Sequence, residues 1–487
     1  MFNIDPLILG REPMDRISKG RSRYIILTIV LAGVFMSVLD SVVVNIALPD
    51  ITSYFNVTVA DSQWVVTAYL LAQTSFLIIA GKISERTGRA RMFTVGLGVF
   101  TLFSFLCGAA TSMGQLIVFR LMQGLGASML FSISAAIIFQ AFGHEERGKA
   151  MGFLGSTVAM AGMVGPVVGG FLVGTLGWQS IFLINVPIGI IAIAAAIALL
   201  RVEERCIDCL RMDYPGAALW IAAIVSLVLL LGILGESGTL TAVGAVLLLA
   251  FVASTVLFVW RERRAPYPLL DISVFRVRRF TLAGLSMATF FISVSMVTIL
   301  GPFYYEGVLR YSPEQVGMIF LVLPAVMMVA SPIAGRMYDR THSSAYEVWG
   351  MVVRSLTLFM LAYGFLSRDV LLTLLAFFLM GIGSSLYQSP NNTVLMAALP
   401  KEKSGVASSV QATTRNLSMA IGVSLATILM TLLMGSMDYS AIAGGPLADE
   451  LATSVAIAVA VSGALSLLGA LLSYLGERGT EASLDGT

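Results

Sequence analysis

Apolar residues along the chain gather into fourteen long runs, at about 24–48, 62–80, 92–111, 114–140, 148–173, 179–200, 214–234, 239–260, 280–305, 314–335, 347–366, 370–396, 404–434 and 451–475. A helix needs roughly 20 mostly apolar residues to cross the hydrocarbon of a bilayer, and each run is about that long or longer. Most breaks between runs carry charge, Pro or Gly, which is how helices end and turn. The pattern predicts fourteen membrane-spanning helices.

The positive charges orient this set. Of the 30 Lys and Arg residues, only Arg310 and Arg368 fall in alternate connections, and only Arg120, Arg354 and Arg415 fall well within runs. All the others lie on one side, including Arg11, Arg16, Lys19, Arg21 and Arg23 before the first run and Lys82, Arg86, Arg89 and Arg91 after the second. Lys and Arg concentrate on the cytoplasmic side of membrane proteins. The separation therefore predicts that both termini are cytoplasmic, in a prokaryotic plasma (inner) membrane. The first twenty residues are polar and charged, so no cleavable signal peptide is expected.

Composition narrows the class further. The chain of 487 residues is 57% hydrophobic and 12% charged, against about 25% charged in a typical soluble domain. A net charge of +2 and the lack of a basic stripe argue against nucleic-acid binding. The 46 glycines and 25 methionines suit close helix packing and a compliant interior. Cys107 lies in an apolar run and Cys206 and Cys209 in a polar segment, which is no disulfide framework. With His144 and His342 as the only histidines, the Cys206-x-x-Cys209 spacing points to no metal site. No cofactor is expected.

The longest charged connectors, 201–213 and 261–279, bracket two runs whose only charge is Glu236. A segment Gly81-Lys-Ile-Ser-Glu85-Arg86-Thr-Gly88-Arg89-Ala-Arg91 follows the second run, and a shorter echo, Gly335-Arg336-Met-Tyr-Asp339-Arg340, follows the second run after the central pair. Such repetition is how many transporters place a site between two bundles. The expected organisation is an N-terminal six-helix bundle (1–200), two additional helices with cytoplasmic linkers (201–279), a C-terminal six-helix bundle (280–475) and a cytoplasmic tail (476–487).

Five motifs carry a family resemblance. Gly81 to Arg91 resembles the loop signature of the major facilitator superfamily, G-x-x-x-(D/E)-R-x-G-(R/K)-x-(R/K), with Glu85 for the commoner Asp. Arg120-Leu-Met-Gln123-Gly124-Leu-Gly126 resembles its fourth-helix motif. Gly165-Pro166-Val-Val-Gly169-Gly170 resembles the fifth-helix motif associated with antiporters. Leu39-Asp40-Ser-Val-Val-Val-Asn45-Ile-Ala-Leu-Pro49 is similar to the first-helix motif of fourteen-span drug:proton antiporters, with Val42 where a threonine is usual. Trp178-Gln-Ser-Ile-Phe182-Leu-Ile-Asn185-Val-Pro187-Ile-Gly189 resembles a stretch common in that family. The resemblance implies an all-α major facilitator fold and proton-coupled antiport of amphipathic organic compounds, multidrug in breadth.

The residues also speak for themselves. Gly81, Glu85, Arg86, Gly88 and Arg89 suit a loop latch, in which Glu85 meets a helix N-terminus or an arginine. A basic loop that only sets topology is the alternative. Gly165, Pro166, Gly169 and Gly170 permit close approach and a bend. Asp40 lies about 17 residues past Arg23, or roughly 25 Å at 1.5 Å per residue, beyond the midplane but within hydrocarbon depth. An ionisable group there is by default functional; a structural ion pair with an arginine is the competing reading. The small neighbours Gly33, Ser37 and Ser41 suggest a face that lines a cavity. Arg120, in the outer half of the fourth run, is placed to face Asp40. Arg354, near the inner end of its run, reads as snorkelling to the surface, whereas Arg415 is deeper.

Asp40, Arg120 and Glu306 are thus the expected proton-coupling residues, and Asn45, Gln123, Gln388, Asn391, Asn392 and Arg415 the expected cavity. No phosphate-binding loop or large soluble domain is present to use ATP. The expectation is a secondary exporter, working as a monomer in the lipid bilayer, that exchanges protons for a small amphipathic organic substrate. An acid in an apolar interior would suit lipophilic cations. Export of a specific lipid, siderophore or metabolite is the alternative, and a channel or an intramembrane enzyme the remote ones.

Overall fold

The computed structural model describes residues 21–142, 146–200, 213–341, 343, 345–400, 403–435 and 447–484. His144, His342, the Cys206/Cys209 pair and the basic residues before Arg21 lie outside the described residues. The helices are α1 (Arg21–Phe55), α2 (Val59–Thr87), α3 (Arg89–Gly108), α4 (Met113–Ala141), α5 (Arg147–Leu176), a two-piece α6 (Ser180–Leu183 and Asn185–Leu199), α7 (Tyr214–Ser237), α8 (Ala242–Glu262), α9 (Arg278–Gly307), α10 (Pro313–Thr341), α11 (Ala345–Ser367), α12 (Val370–Ala397), α13 (Ser404–Met434) and α14 (Ala448–Leu484). Each is long and apolar enough to cross a membrane, giving 14 spans among the described residues. The protein is an all-α, multi-pass membrane protein.

Boundaries differ from the apolar runs where local chemistry extends a helix. α1 continues through Pro49 to Phe55 and stops where Asn56 takes a positive φ of 51°. Proline is tolerated inside membrane helices when the surroundings satisfy the freed backbone group, and α1 runs through Pro49 for six further residues. α2 starts at Val59 rather than 62 because Thr58 and Asp61 form a reciprocal capping box, which satisfies two orphan donors. α14 runs on to Leu484, so the expected tail at 476–487 is helical through most of its length.

The helices pack by a rule that repeats. In the first half α2 and α3 pack on α4, α1 packs on α5 and α6, and α3 packs on α6. Eight helices later, beyond the central pair, the same relations recur: α10 and α11 pack on α12, α9 packs on α13 and α14, and α11 packs on α14. Between the halves, α5 meets α10, α2 meets α13 and α1 meets α9. The central α7 lies across both α2 and α13, and α8 packs chiefly on α7. α8 is the least buried span, and its exposed Val243, Val246, Leu249, Val252 and Val256 present the apolar surface that lipid tails accept without cost.

Polar contacts tie the central pair at one end. Arg261, at the end of α8, donates to both carboxylate oxygens of Asp213 just before α7, at 3.0 and 3.2 Å. The guanidinium holds the Asp213 carboxyl below its usual range. Lys403 donates to Asp271 at 2.7 Å, joining the α8–α9 linker to the start of α13.

The antiporter-type motif on α5 has two faces. A Cβ at Gly165 would sit 2.8 Å from Val42 Cγ1 and one at Gly169 3.0 Å from Val43 Cγ1, so both glycines admit α1. A Cβ at Gly170 would overlap the Pro313 carbonyl of α10, and one at Gly317 would overlap the Pro166 carbonyl of α5. The two halves therefore meet backbone to backbone at this end of the seam. Further along α5, Gly162, Gly155 and Gly152 have no atom within 4 Å of a would-be Cβ.

Candidate functional site

Two glycines of α4 set the site. A Cβ at Gly124 would overlap the Tyr69 carbonyl of α2, and one at Gly126 would lie 2.6 Å from the Phe100 nitrogen of α3. Their absence of side chains lets α4 press into its neighbours. That approach carries Arg120 and Gln123, on the preceding turns, into the interior against α1.

There Arg120 and Asp40 form an ion pair, Nη1 to Oδ2 at 2.5 Å, with both side chains fully buried. The other carboxylate oxygen, Oδ1, accepts from Gln123 Nε2 at 2.9 Å and from Asn185 Nδ2 at 3.0 Å. Arg120 also donates from Nε to the Val65 carbonyl at 2.9 Å and from Nη1 to Gln123 Oε1 at 2.8 Å. Its guanidinium lies over the Tyr69 ring, 4.2 Å from the centroid. Tyr69 is fixed in turn by a 2.9 Å hydrogen bond with the Ser37 hydroxyl. Asn185 also donates to Ser104 Oγ at 3.1 Å, and Ser104 donates to the Phe182 carbonyl at 2.8 Å. Charged groups are kept in an apolar interior only when paired and hydrogen-bonded, and this network does both with α1, α2, α3, α4 and α6. One donor, Arg120 Nη2, is enclosed without a partner.

Asn185 is the member that sequence reasoning passed over as a functional residue. It opens the second piece of α6, just after the break at Ile184. Pro187 has no N–H to continue the helical ladder two residues on. An amide beside a proline in an apolar run was the available signal.

Several expectations change. Gln123 is not a free cavity residue, because both ends of its amide are spent on Asp40 and Arg120. The face at Gly33, Ser37 and Ser41 does not line a cavity: Phe93 and Leu97 fill the space over Gly33, Ser37 holds Tyr69, and Ser41 donates to the Val38 carbonyl. Val42 packs on Gly165. Arg354 does not snorkel. It is 1% exposed, donates to Ser384 and Ser293 at 2.7 and 3.3 Å, and lies 4.6 Å from the Phe290 ring centroid. Glu306 is the next-to-last residue of α9, with Oε1 enclosed and unbonded, and shares no hydrogen bond with the Asp40 network.

The other residues are dispersed. Asn45 is 8% exposed and, like Asn391, keeps an enclosed Oδ1 without a partner. Asn392 is exposed and accepts from Gln411 at 2.6 Å. Gln388 is half-buried on α12. In the loop segment, Gly88 takes φ 97°, its N–H donates to Ser84 O, and Arg89 donates to the Ala136 carbonyl of α4 at 3.3 Å. Gly81 faces Ser132 of α4. Glu85 is half-buried and Arg86 exposed, and neither has a partner among the described residues. Arg415 reaches from α13 to the Phe131 ring of α4, 5.3 Å from its centroid.

A duplicated bundle of fourteen spans with a buried ion pair at depth defines a membrane transporter. The chain belongs to the major facilitator superfamily: the family's model matches residues 30–209 and 215–423. The riboflavin transporter RibZ of Clostridioides difficile is 34% identical over 82% of this chain and 87% of its own length. The multidrug resistance protein Stp of Mycobacterium tuberculosis is 33% identical over 83% of this chain and 76% of its own. The crystal structure of a bacterial homologue of the human lysosomal transporter Spinster, inward-facing and unoccupied, superposes with a TM-score of 0.68 at 14% identity. It covers 94% of this chain and 98% of that one.

Proposed function

We propose that this chain is a proton-coupled exporter of amphipathic organic compounds, working as a monomer in a prokaryotic inner membrane with both termini cytoplasmic. The observation that carries the reading is the Asp40–Arg120 pair, fully buried at membrane depth and gripped by Gln123 and Asn185. Multidrug relatives such as Stp support the breadth of substrate. In this reading, residues 1–200 and 280–475 are two bundles that rock about the site, residues 201–279 supply the central pair, and Gly81–Arg89 latches one conformation.

The coupling step follows from the cost of an unpaired charge. While Arg120 holds Asp40, the two opposite charges compensate each other. When substrate or the rocking of the bundles draws the Arg120 side chain away, the bond to Nη1 breaks and a bare carboxylate is left in apolar surroundings, where ionisation is penalised. It takes a proton, and rocking of the bundles carries that proton inward as substrate leaves. Inverted vesicles loaded with protons test this. Adding a substrate should release protons, and Asp40→Asn should reduce that release to the level of empty vesicles. Asp40→Glu should retain part of it with a shifted pH profile. Normal pumping by Asp40→Asn would place the proton site elsewhere, with Glu306 next.

Export of one specific metabolite is the second reading, favoured by the 34% identity to the riboflavin transporter. Riboflavin in the same assay decides it.

A further inference from the structure

The buried carboxylate expected to attract cations is not presented to a substrate. Asp40 is 1% exposed, and both of its oxygens are spent on Arg120, Gln123 and Asn185. The charge at the seam between the halves has the opposite sign. Arg415 stands on α13, eleven residues from its start, and its guanidinium crosses the seam to the face of Phe131 on α4.

Arg415 is uncompensated. The ion pairs among the described residues are Arg23–Glu146, Arg120–Asp40, Arg261–Asp213, Arg368–Asp449 and Lys403–Asp271, and none includes it. Its side chain is only half-buried, and it donates no hydrogen bond to a described residue. A guanidinium stacked on an aromatic ring has its edge, with five N–H donors, free for a planar anion. On either side along α13, Thr413 Oγ1 and Asn416 Nδ2 are enclosed without partners.

From this we infer that Arg415 is the substrate's charge contact, and that the compounds carried are anionic amphiphiles: an aromatic body along Phe131 bearing a carboxylate, sulfonate or phenolate that pairs with Arg415. Cations of the same size are excluded by like charge in a medium of low dielectric constant. The inference rests on the exporter reading and narrows its substrate; the binding half of its test stands apart from proton coupling.

The test uses three dyes on the purified full-length protein. Anilinonaphthalene sulfonate is the anion, N-phenylnaphthylamine its counterpart without the sulfonate, and ethidium the cation. Equilibrium dialysis against detergent alone gives binding, and proton release from inverted vesicles gives coupling. The wild type should bind the sulfonate at least ten-fold more tightly than ethidium. Arg415→Gln should weaken the sulfonate ten-fold or more while changing N-phenylnaphthylamine by less than three-fold, and Arg415→Lys should restore part of the loss. Equal or tighter ethidium binding by the wild type, or unchanged sulfonate binding by Arg415→Gln, overturns the inference. Sulfonate binding that depends on Arg415 without any proton release overturns the coupling instead. Loss of all three dyes in Arg415→Gln but none in Arg415→Lys with equal preference for both charges makes the residue structural and also overturns it.

Discussion

The ion pair between Asp40 and Arg120 can be tested for whether it works or merely stabilises, because the two roles respond differently to neutralising both partners. Removing one partner of a buried pair leaves an uncompensated charge and costs about 3–5 kcal/mol. Asp40→Asn and Arg120→Met should each lose that much in unfolding measurements. The double variant removes both charges at once. Asn at position 40 keeps a carbonyl to accept from Gln123 and Asn185, which now donate to Oδ1 at 2.9 and 3.0 Å. Met at position 120 retains contact with the Tyr69 ring that now lies 4.2 Å below the guanidinium. Well-packed neutral replacements of buried pairs are often no worse than the pair itself, so the double variant should recover to within about 1.5 kcal/mol of the wild type. Transport should not recover. Urea-induced loss of tertiary signal in detergent gives stability, and substrate-induced proton release in inverted vesicles gives coupling. A stable double variant that still pumps against a gradient would refute the reasoning, since the pair would then be only a brace.

Three further outcomes are expected. Reporter fusions after residues 213 and 265 should both read cytoplasmic; an external signal at either breaks the scheme of six, two and six spans. Gly88→Leu, forced into a φ of 97° at roughly 1–3 kcal/mol of strain, and Arg89→Ala, which frees the Ala136 carbonyl, should cut transport while leaving membrane insertion and dye binding in place. Lost insertion would instead mean that the loop only sets topology. Gly170→Leu should wedge α5 from the Pro313 carbonyl, stop transport and speed thiol labelling of Asn45→Cys in a background without Cys107, Cys206 and Cys209. Labelling and transport at wild-type rates would show that the seam need not close there.

The number of spans was legible because each needs its own stretch of apolar residues and each break leaves charge or proline behind. The pairing of Asp40 with Arg120 was legible too, since counting along two antiparallel helices put both in the outer half. What counting along one helix misses is who fills the space beside it. Gly33, Ser37 and Ser41 look like a cavity wall until Phe93 and Tyr69, from two other helices, are seen to occupy that face. Arg354 looks near enough to the inner surface to reach it. Instead, hydroxyls from Ser293 on α9 and Ser384 on α12 meet it inside the bundle, and no pattern within α11 announces them. Asn185 escaped for the same reason: its partner is 145 residues away.

The glycine motif on α5 explains how such a seam can open at all. In a bilayer, helices gain nothing from excluding water, because lipid tails are as apolar as leucine, so their association rests on close packing and hydrogen bonds. Gly165 and Gly169 use that packing within one half, against Val42 and Val43 of α1. Gly170 and Gly317 use it between the halves, through the Pro313 and Pro166 carbonyls. The first contact is among side chains and backbone of helices that also share the tightly packed interior around α4 and α6. The second brings backbones of α5 and α10 together with no ion pair across it among the described residues. Dispersion at a contact of this kind is small per atom pair and falls off steeply with distance. A seam held in this way closes with good shape fit yet separates without breaking a charge pair. The Asp40 network, by contrast, holds its helices with charge and hydrogen bonds. The order of strengths therefore lets each bundle move as a unit and leaves the seam as the place where it yields.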